Sequence, residues 1–318
     1  MEKLIFSLSI IIVGIICGQF IKRTTSNKSN ITLVSKRMDQ IRVFAFLILN
    51  PIVMINSYWI IDFNNISMLI LPFICLIVLF VGGAVALFIS NVLKHNSQEK
   101  ASMFACGTFS NLGTIGGLIT LTFLGEKAFT IAALYFLFES FYNFLIAYPI
   151  IKYIGEGKSD SNDKWWLVFY DKTIIIYIIS IIVGVSLNLI GLQRPQIMTD
   201  YNNIMIPVIS FLLTFAISYK MEFRKIKSNL SEGIIGIIIK VIVSPIVAIL
   251  VAYLFGLQNI ENGLVIKVLL IMSTVPCGFN SILVPTIYKA DKDVANSIWI
   301  MTMIASLMVL PIIYYIVI

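Results

Sequence analysis

Charge is scarce in this chain. Asp, Glu, Lys and Arg make up 12% of its 318 residues, against about 25% in an ordinary soluble domain. That shortage excludes a surface built to face water on all sides. Histidine is scarcer still: with His95 alone, the usual zinc sites and His-based acid–base chemistry lack their ligands. His95 stands beside Lys94 at the end of an apolar run and reads as a solvated terminal residue. Cys17, Cys75, Cys106 and Cys277 all fall inside apolar stretches without metal-ligand spacing, so they read as small buried hydrophobes. Neither an HExxH motif nor a pair of catalytic carboxylates is present, which leaves an intramembrane enzyme the least supported class.

Apolar residues are what the chain has in abundance. Hydrophobic residues reach 59% and mean hydropathy is +0.96, values of an integral membrane protein. Ten apolar segments can be marked, at 4–21, 43–61, 68–93, 101–124, 129–151, 173–190, 204–219, 233–255, 263–288 and 294–318. The first follows Glu2-Lys3 without a small-residue cleavage site, so it reads as a span and not a signal peptide. The polar run Gly155–Lys164 divides the segments five and five, which organises the chain as 1–154, a linker at 155–172, and 173–318. The net charge of +7 sits in the connections and points away from a nucleic-acid partner. Connections after odd-numbered segments hold most of the basic residues, among them Lys22, Arg23, Arg37, Arg42, Lys94, Lys152, Lys220 and Arg224. The opposite connections hold only Lys3, Lys127 and Arg194. The positive-inside rule then places both termini outside the cell membrane. Five spans per half is an odd number, so the second half enters the bilayer inverted relative to the first.

The fourth segment carries a sequence that makes a poor helix. Ser110-Asn111 precedes Gly113, Gly116 and Gly117, each glycine less favourable than Ala in a helix interior by roughly 1 kcal/mol. In hydrocarbon, freed backbone groups are tolerated only beside protein or a wet cavity, so a break at this glycine cluster should line a site. The ninth segment is interrupted in the same way at Val275-Pro276-Cys277-Gly278-Phe279-Asn280-Ser281. A shift of 165 positions sets Asn111 on Pro276, Gly113 on Gly278 and Glu126-Lys127 on Asp291-Lys292.

These residues resemble the auxin efflux carrier family of membrane transporters. Ser110-Asn111-Leu112-Gly113-Thr114-Ile115-Gly116-Gly117-Leu118 is similar to the family's Asn-x-Gly-x-x-Gly-x-Pro crossover segment, with Leu118 where proline is usual. Pro276-Cys277-Gly278-Phe279-Asn280-Ser281, followed by Tyr288 and Asp291, is closer to the pattern. The resemblance implies an all-α integral membrane protein with ten transmembrane helices in two inverted five-helix repeats. Their fourth and ninth helices would be broken and would cross at the membrane centre, as in bile-acid sodium symporters. It also implies a scaffold of the first, second, sixth and seventh spans, with the other six forming a domain that moves against it.

On this reading Ser110, Asn111, Gly113, Pro276, Gly278, Asn280 and Ser281 are the expected substrate-binding residues. Glu139 is the most costly residue to bury, because it lies near the middle of the fifth segment. Tyr135, Glu139 and Asn143 recur at helical spacing and should share one face. Glu139, Asn143 and Lys240 are therefore the expected coupling residues, Glu139 otherwise being a helix–helix hydrogen bond. Lys240 and Lys267 are both also readable as snorkelling side chains, with Glu139 or an anionic substrate the partner of Lys240 if it stays inside. Asn50-Pro51 and Ile206-Pro207 read as kinks, and Asn56, Ser57, Ser210 and Thr214 as cavity-lining or interhelical groups.

The function expected is secondary transport of a small organic anion, a carboxylate or dicarboxylate, by alternating access. No cofactor is expected, and the coupling ion is a proton or sodium. Lipid surrounds the protein, and a homodimer is compatible with the resemblance. A sodium-coupled symporter of the bile-acid type, a channel and a receptor remain as alternatives.

Overall fold

The computed structural model describes residues 1–25, 28–62, 66–156 and 172–318. Seven of its helices are long and apolar enough to cross a membrane. They are α1 (Glu2–Thr24), α2 (Asn30–Trp59), α3 (Ile66–Val92), α6 (Glu126–Glu156), α8 (Gln196–Ser218), α9 (Ile226–Leu254) and α12 (Lys292–Val317). Shorter helices complete the order: α4 (Ser97–Thr108), α5 (Leu112–Leu124), α7 (Ile174–Leu189), α10 (Leu264–Ser273) and α11 (Asn280–Ile287). Residues 157–171, most of the expected linker, lie outside the described residues.

The outer surface is rich in large apolar side chains, as is the interior, and some helix contacts are made through small residues. Helix α1 shows why. Leu4, Ser7, Ile11, Gly14 and Gly18 recur three and four residues apart and are buried, while Ile5, Ile12, Ile16 and Phe20 face outward. Lipid gives no hydrophobic drive for helix association, so close packing of small residues does the work. Gly14 and Gly18 lie against Thr214 and Ser218 of α8, and a Cβ on Gly18 would meet the Phe215 carbonyl at 2.4 Å. Helix α7 packs on α2 in a corresponding way.

Four wide helical turns share one cause or its trace. Asn50, Tyr148 and Ser244 each donate their N–H five residues back, to Ala45, Asn143 and Ile239, and each immediately precedes a proline. A proline ring crowds the carbonyl of the turn before it, and the widened turn relieves that. The fourth, Gly117 to Leu112, precedes Leu118, where the resemblance expects proline. The backbone therefore keeps the wide turn although this chain has leucine, and Leu118 is fully buried there.

Helix α2 begins well before the apolar segment at 43. Its polar first half is helical, so Arg42 is a helix residue and not a loop residue. His95 also differs from the solvated residue expected: its Nδ1 lies 2.9 Å from Ser90 Oγ and its Nε2 3.3 Å from Glu232, tying the end of α3 to α9.

Candidate functional site

Both interruptions are real breaks, and they meet. After α4 the chain is extended through Phe109–Asn111, and after α10 through Val275–Gly278, with Ser110 and Cys277 paired as an antiparallel bridge. Asn111 N–H donates to Pro276 O at 2.9 Å and Gly278 N–H to Phe109 O at 3.2 Å. Each broken helix thereby supplies partners for backbone groups that the other has freed, which hydrocarbon would not. The first break lies just before the glycine cluster and not within it. Asn111 is responsible: its Oδ1 accepts from Ile115 N–H at 3.4 Å, capping α5, so Gly113, Gly116 and Gly117 remain helical. Gly116 and Gly117 serve close packing instead, against Met272 and Phe129. Gly278 is needed for contact, since a Cβ there would sit 2.7 Å from Ser110 O.

A cavity of about 340 Å³ opens beside this crossing. Ser110, Asn111, Gly113, Gly278 and Asn280 line it from the breaks, and Glu139 and Asn143 from α6. Pro276 and Ser281 do not. Pro276 is held by its carbonyl in the crossing, and Ser281 is fully buried with its hydroxyl on Gly278 O at 2.7 Å. Tyr135 is buried away from the cavity, because a non-helical turn at 136–138 separates it from Glu139 and breaks the shared face.

Lys240 does not snorkel. Its side chain is 1% exposed and its Nζ donates at 2.8 Å both to Gly107 O, at the end of α4, and to Ser110 Oγ. The wide turn before Pro245 carries it there. An ammonium placed at a helix C-terminus meets orphaned carbonyls and the negative dipole end. Because Ser110 Oγ accepts from Lys240, its own O–H is left to donate into the cavity. Asn111 is similarly oriented: its oxygen is spent on Ile115, so its NH2 is free to donate. The Asn280 side chain makes no hydrogen bond among the described residues. The crossing thus presents donors, and α5 begins beside it with N–H groups lacking intrahelical partners, whereas Ser281, Ile282 and Leu283 at the start of α11 already donate to Gly278 and Phe279.

The opposite wall presents acceptors. Asn143 is 4% exposed, and its Oδ1 has no partner among the described residues. Glu139 and Lys240 form no ion pair among the described residues.

Arg42, Asn50 and Phe279 are lining residues that sequence reasoning did not assign. Arg42 lies 5.0 Å above the Phe279 ring, with Lys220 on the same ring at 5.8 Å, and Asp39 binds Lys220 at 2.7 Å. The wide turn that precedes Pro51 is the signal that would have found Asn50; the residue before a membrane proline ends a widened turn here three times over.

The cavity occupies one half of the molecule only. On α2 its lining runs from Arg42 to Pro51, on α6 from Phe136 to Tyr148, and on α8 from Ile209 to Ile217. Beyond Pro51, before Phe136 and before Ile209, the same three helices close together.

Residues 176–314 match the family described as membrane transport protein. That stretch runs from within α7 to near the end of α12 and includes the second break. No curated protein matches the chain.

Proposed function

We propose that the chain, whose residues 176–314 match the membrane transport protein family of auxin efflux carrier type, is a secondary carrier of a small carboxylate working by alternating access. One observation carries the anionic substrate: the Lys240 ammonium lies on Ser110, whose hydroxyl then donates into a cavity already furnished with the Asn111 and Asn280 amides and the start of α5. Those groups offer a carboxylate donors at fixed positions. Two inverted five-helix repeats, as the resemblance implies, would suit a carrier. The shift of 165 that aligns the two breaks in the sequence pairs Asn111 with Pro276, and these two are bonded to each other, as residues beside a pseudo-twofold axis would be. The α1–α8 and α2–α7 packings exchange under the same shift.

Counterflow in proteoliposomes tests this. Saturable exchange of an external labelled carboxylate against an internal unlabelled one is expected, and it separates a carrier from a channel or receptor. Asn280→Leu and Asn111→Leu are each expected to reduce it by about tenfold or more, the loss of one donor to a charged acceptor amounting to about 1.5–3 kcal/mol. Exchange unchanged in both variants would place the substrate elsewhere.

Glu139 fits a coupling proton. An ionised carboxylate opposes an anionic substrate in the same cavity, and protonation on binding removes that opposition. Glu139→Gln keeps volume and hydrogen bonding but cannot titrate. Its exchange activity is expected to persist while uptake ceases to respond to an imposed pH gradient. A gradient response equal to that of the parent would reduce Glu139 to a packing role, and dependence on sodium instead would favour the symporter alternative.

A further inference from the structure

The half of the molecule that the cavity does not reach holds a polar network that ties three helices together. Arg194, just before α8, meets Glu126 at the start of α6 through two parallel bonds, Nη1 to Oε1 and Nη2 to Oε2, both 2.7 Å. Arg194 also bonds Thr199, and its Nη1 reaches Asn56 O at 3.4 Å. Asn202 on α8 donates to Glu126 Oε1 at 3.0 Å, and Asn56 on α2 donates to Asn202 at 3.1 Å. The Arg194 and Glu126 side chains are 9% and 15% exposed. We infer that Glu126 and Arg194 form a releasable latch that holds this side shut while the cavity is open on the other, and that parts when access alternates. The inference rests on the alternating-access reading above.

Three features set the network apart from ordinary packing. It joins α2 and α8 to α6 beyond the ends of the cavity lining, Asn56 past Pro51, Asn202 before Ile209 and Glu126 well before Phe136, so separating these helices there is what would admit solvent from this side. Apolar side chains would seal such a contact at least as well, since a buried ion pair does little better than break even against them. A forked Arg–carboxylate pair differs from them in being directional and in separating into two groups that water solvates well, which suits a contact made and broken repeatedly. Finally, Glu126 directly follows Gly125, whose φ of 86° makes the joint between α5 and α6. Any displacement of the crossing with α5 therefore pulls on Glu126. At the other end of the cavity Arg42 and Lys220 both lie over the Phe279 ring, and Asp39 pairs with both cations.

Ile206 lies one turn of α8 from Asn202, between the network and the cavity, and is 3% exposed. The test is maleimide labelling of Ile206→Cys in the full-length Cys17→Ser protein, purified in detergent so that both faces are accessible, with the labelled peptide identified by mass. Labelling is expected to be slow with the latch intact and about tenfold or more faster with Glu126→Gln. The reversed pair, Glu126→Arg with Arg194→Glu, is expected to return it toward the slow rate. Arg194→Gln reads the same contact if Glu126→Gln fails to fold. Equal labelling rates in the parent and the folded single variants overturn the latch. Fast labelling without counterflow would instead defeat the carrier reading and leave the latch standing.

Discussion

Gly278→Ala is expected to prevent the two breaks from crossing. The added methyl would sit 2.7 Å from Ser110 O and 3.0 Å from Ser110 C, so the obstacle is backbone on a neighbouring strand and not a side chain that can rotate away. Relief requires the bonds Gly278 N–H to Phe109 O and Asn111 N–H to Pro276 O to lengthen or part. Overpacking of this kind costs about 1–3 kcal/mol, and a buried unpaired peptide group adds about 1–3 kcal/mol more. The expected outcome is a large fall in melting temperature and in exchange activity together. Gly113→Ala is the control. No atom lies within 4 Å of the position its methyl would take, and Gly113 is helical. Replacing a helical glycine gains about 0.5–1 kcal/mol, so this variant should be at least as stable as the parent while filling part of the cavity. Thermal unfolding of both in the same detergent checks the contrast; equal melting temperatures would mean that the crossing is not held by this contact.

Lys240→Met is expected to separate stability from transport. Methionine removes a buried ammonium, and the desolvation so relieved offsets much of the two lost charge-assisted bonds. What remains is the Gly107 carbonyl without its partner, a loss of about 1–3 kcal/mol. Transport should suffer more. Ser110 would lose the donor that commits its own hydroxyl to the cavity, and the site would lose its nearest buried cation, so exchange is expected to fall by about tenfold or more. Lys240→Arg should not restore it fully, because a planar fork does not reproduce a compact ammonium in contact with both oxygens. Exchange at the parental rate in Lys240→Met would show the ammonium to be a helix-end support without influence on the substrate.

The breaks were legible because nothing else accounts for Asn111 before three glycines, or for Pro276 and Gly278, in uncharged membrane segments. The depth of Glu139 in the fifth segment, with Asn143 one turn on, marked two more residues that line the cavity. Other features were not legible, for identifiable reasons. The first break was misplaced by a few residues because glycine in a membrane helix often permits approach instead of ending the helix, as Gly116 does against Met272. Lys240 was ambiguous because a stem of four methylenes can reach either an interface or a partner, and only the wide turn before Pro245 decides which. Arg42 was hidden because a hydropathy window sees where hydrocarbon begins and not where a helix does. Ser281 matched a motif, but its hydroxyl is committed to Gly278.

The crossing also bears on how the chain is made. The partners for Phe109 and Asn111 lie on Pro276 and Gly278, about 165 residues later, and synthesis at about 5–20 residues per second spends on the order of ten seconds or more on that interval. Throughout it, the first break stands in the nascent protein with backbone groups that lipid cannot satisfy. The early helices must therefore wait beside water or the insertion machinery and enter the bilayer as a finished unit only when the second break arrives. Ribosome pausing or truncation before residue 276 should leave a first half that is retained at the site of insertion and degraded, even though each of its long helices is apolar enough to insert by itself.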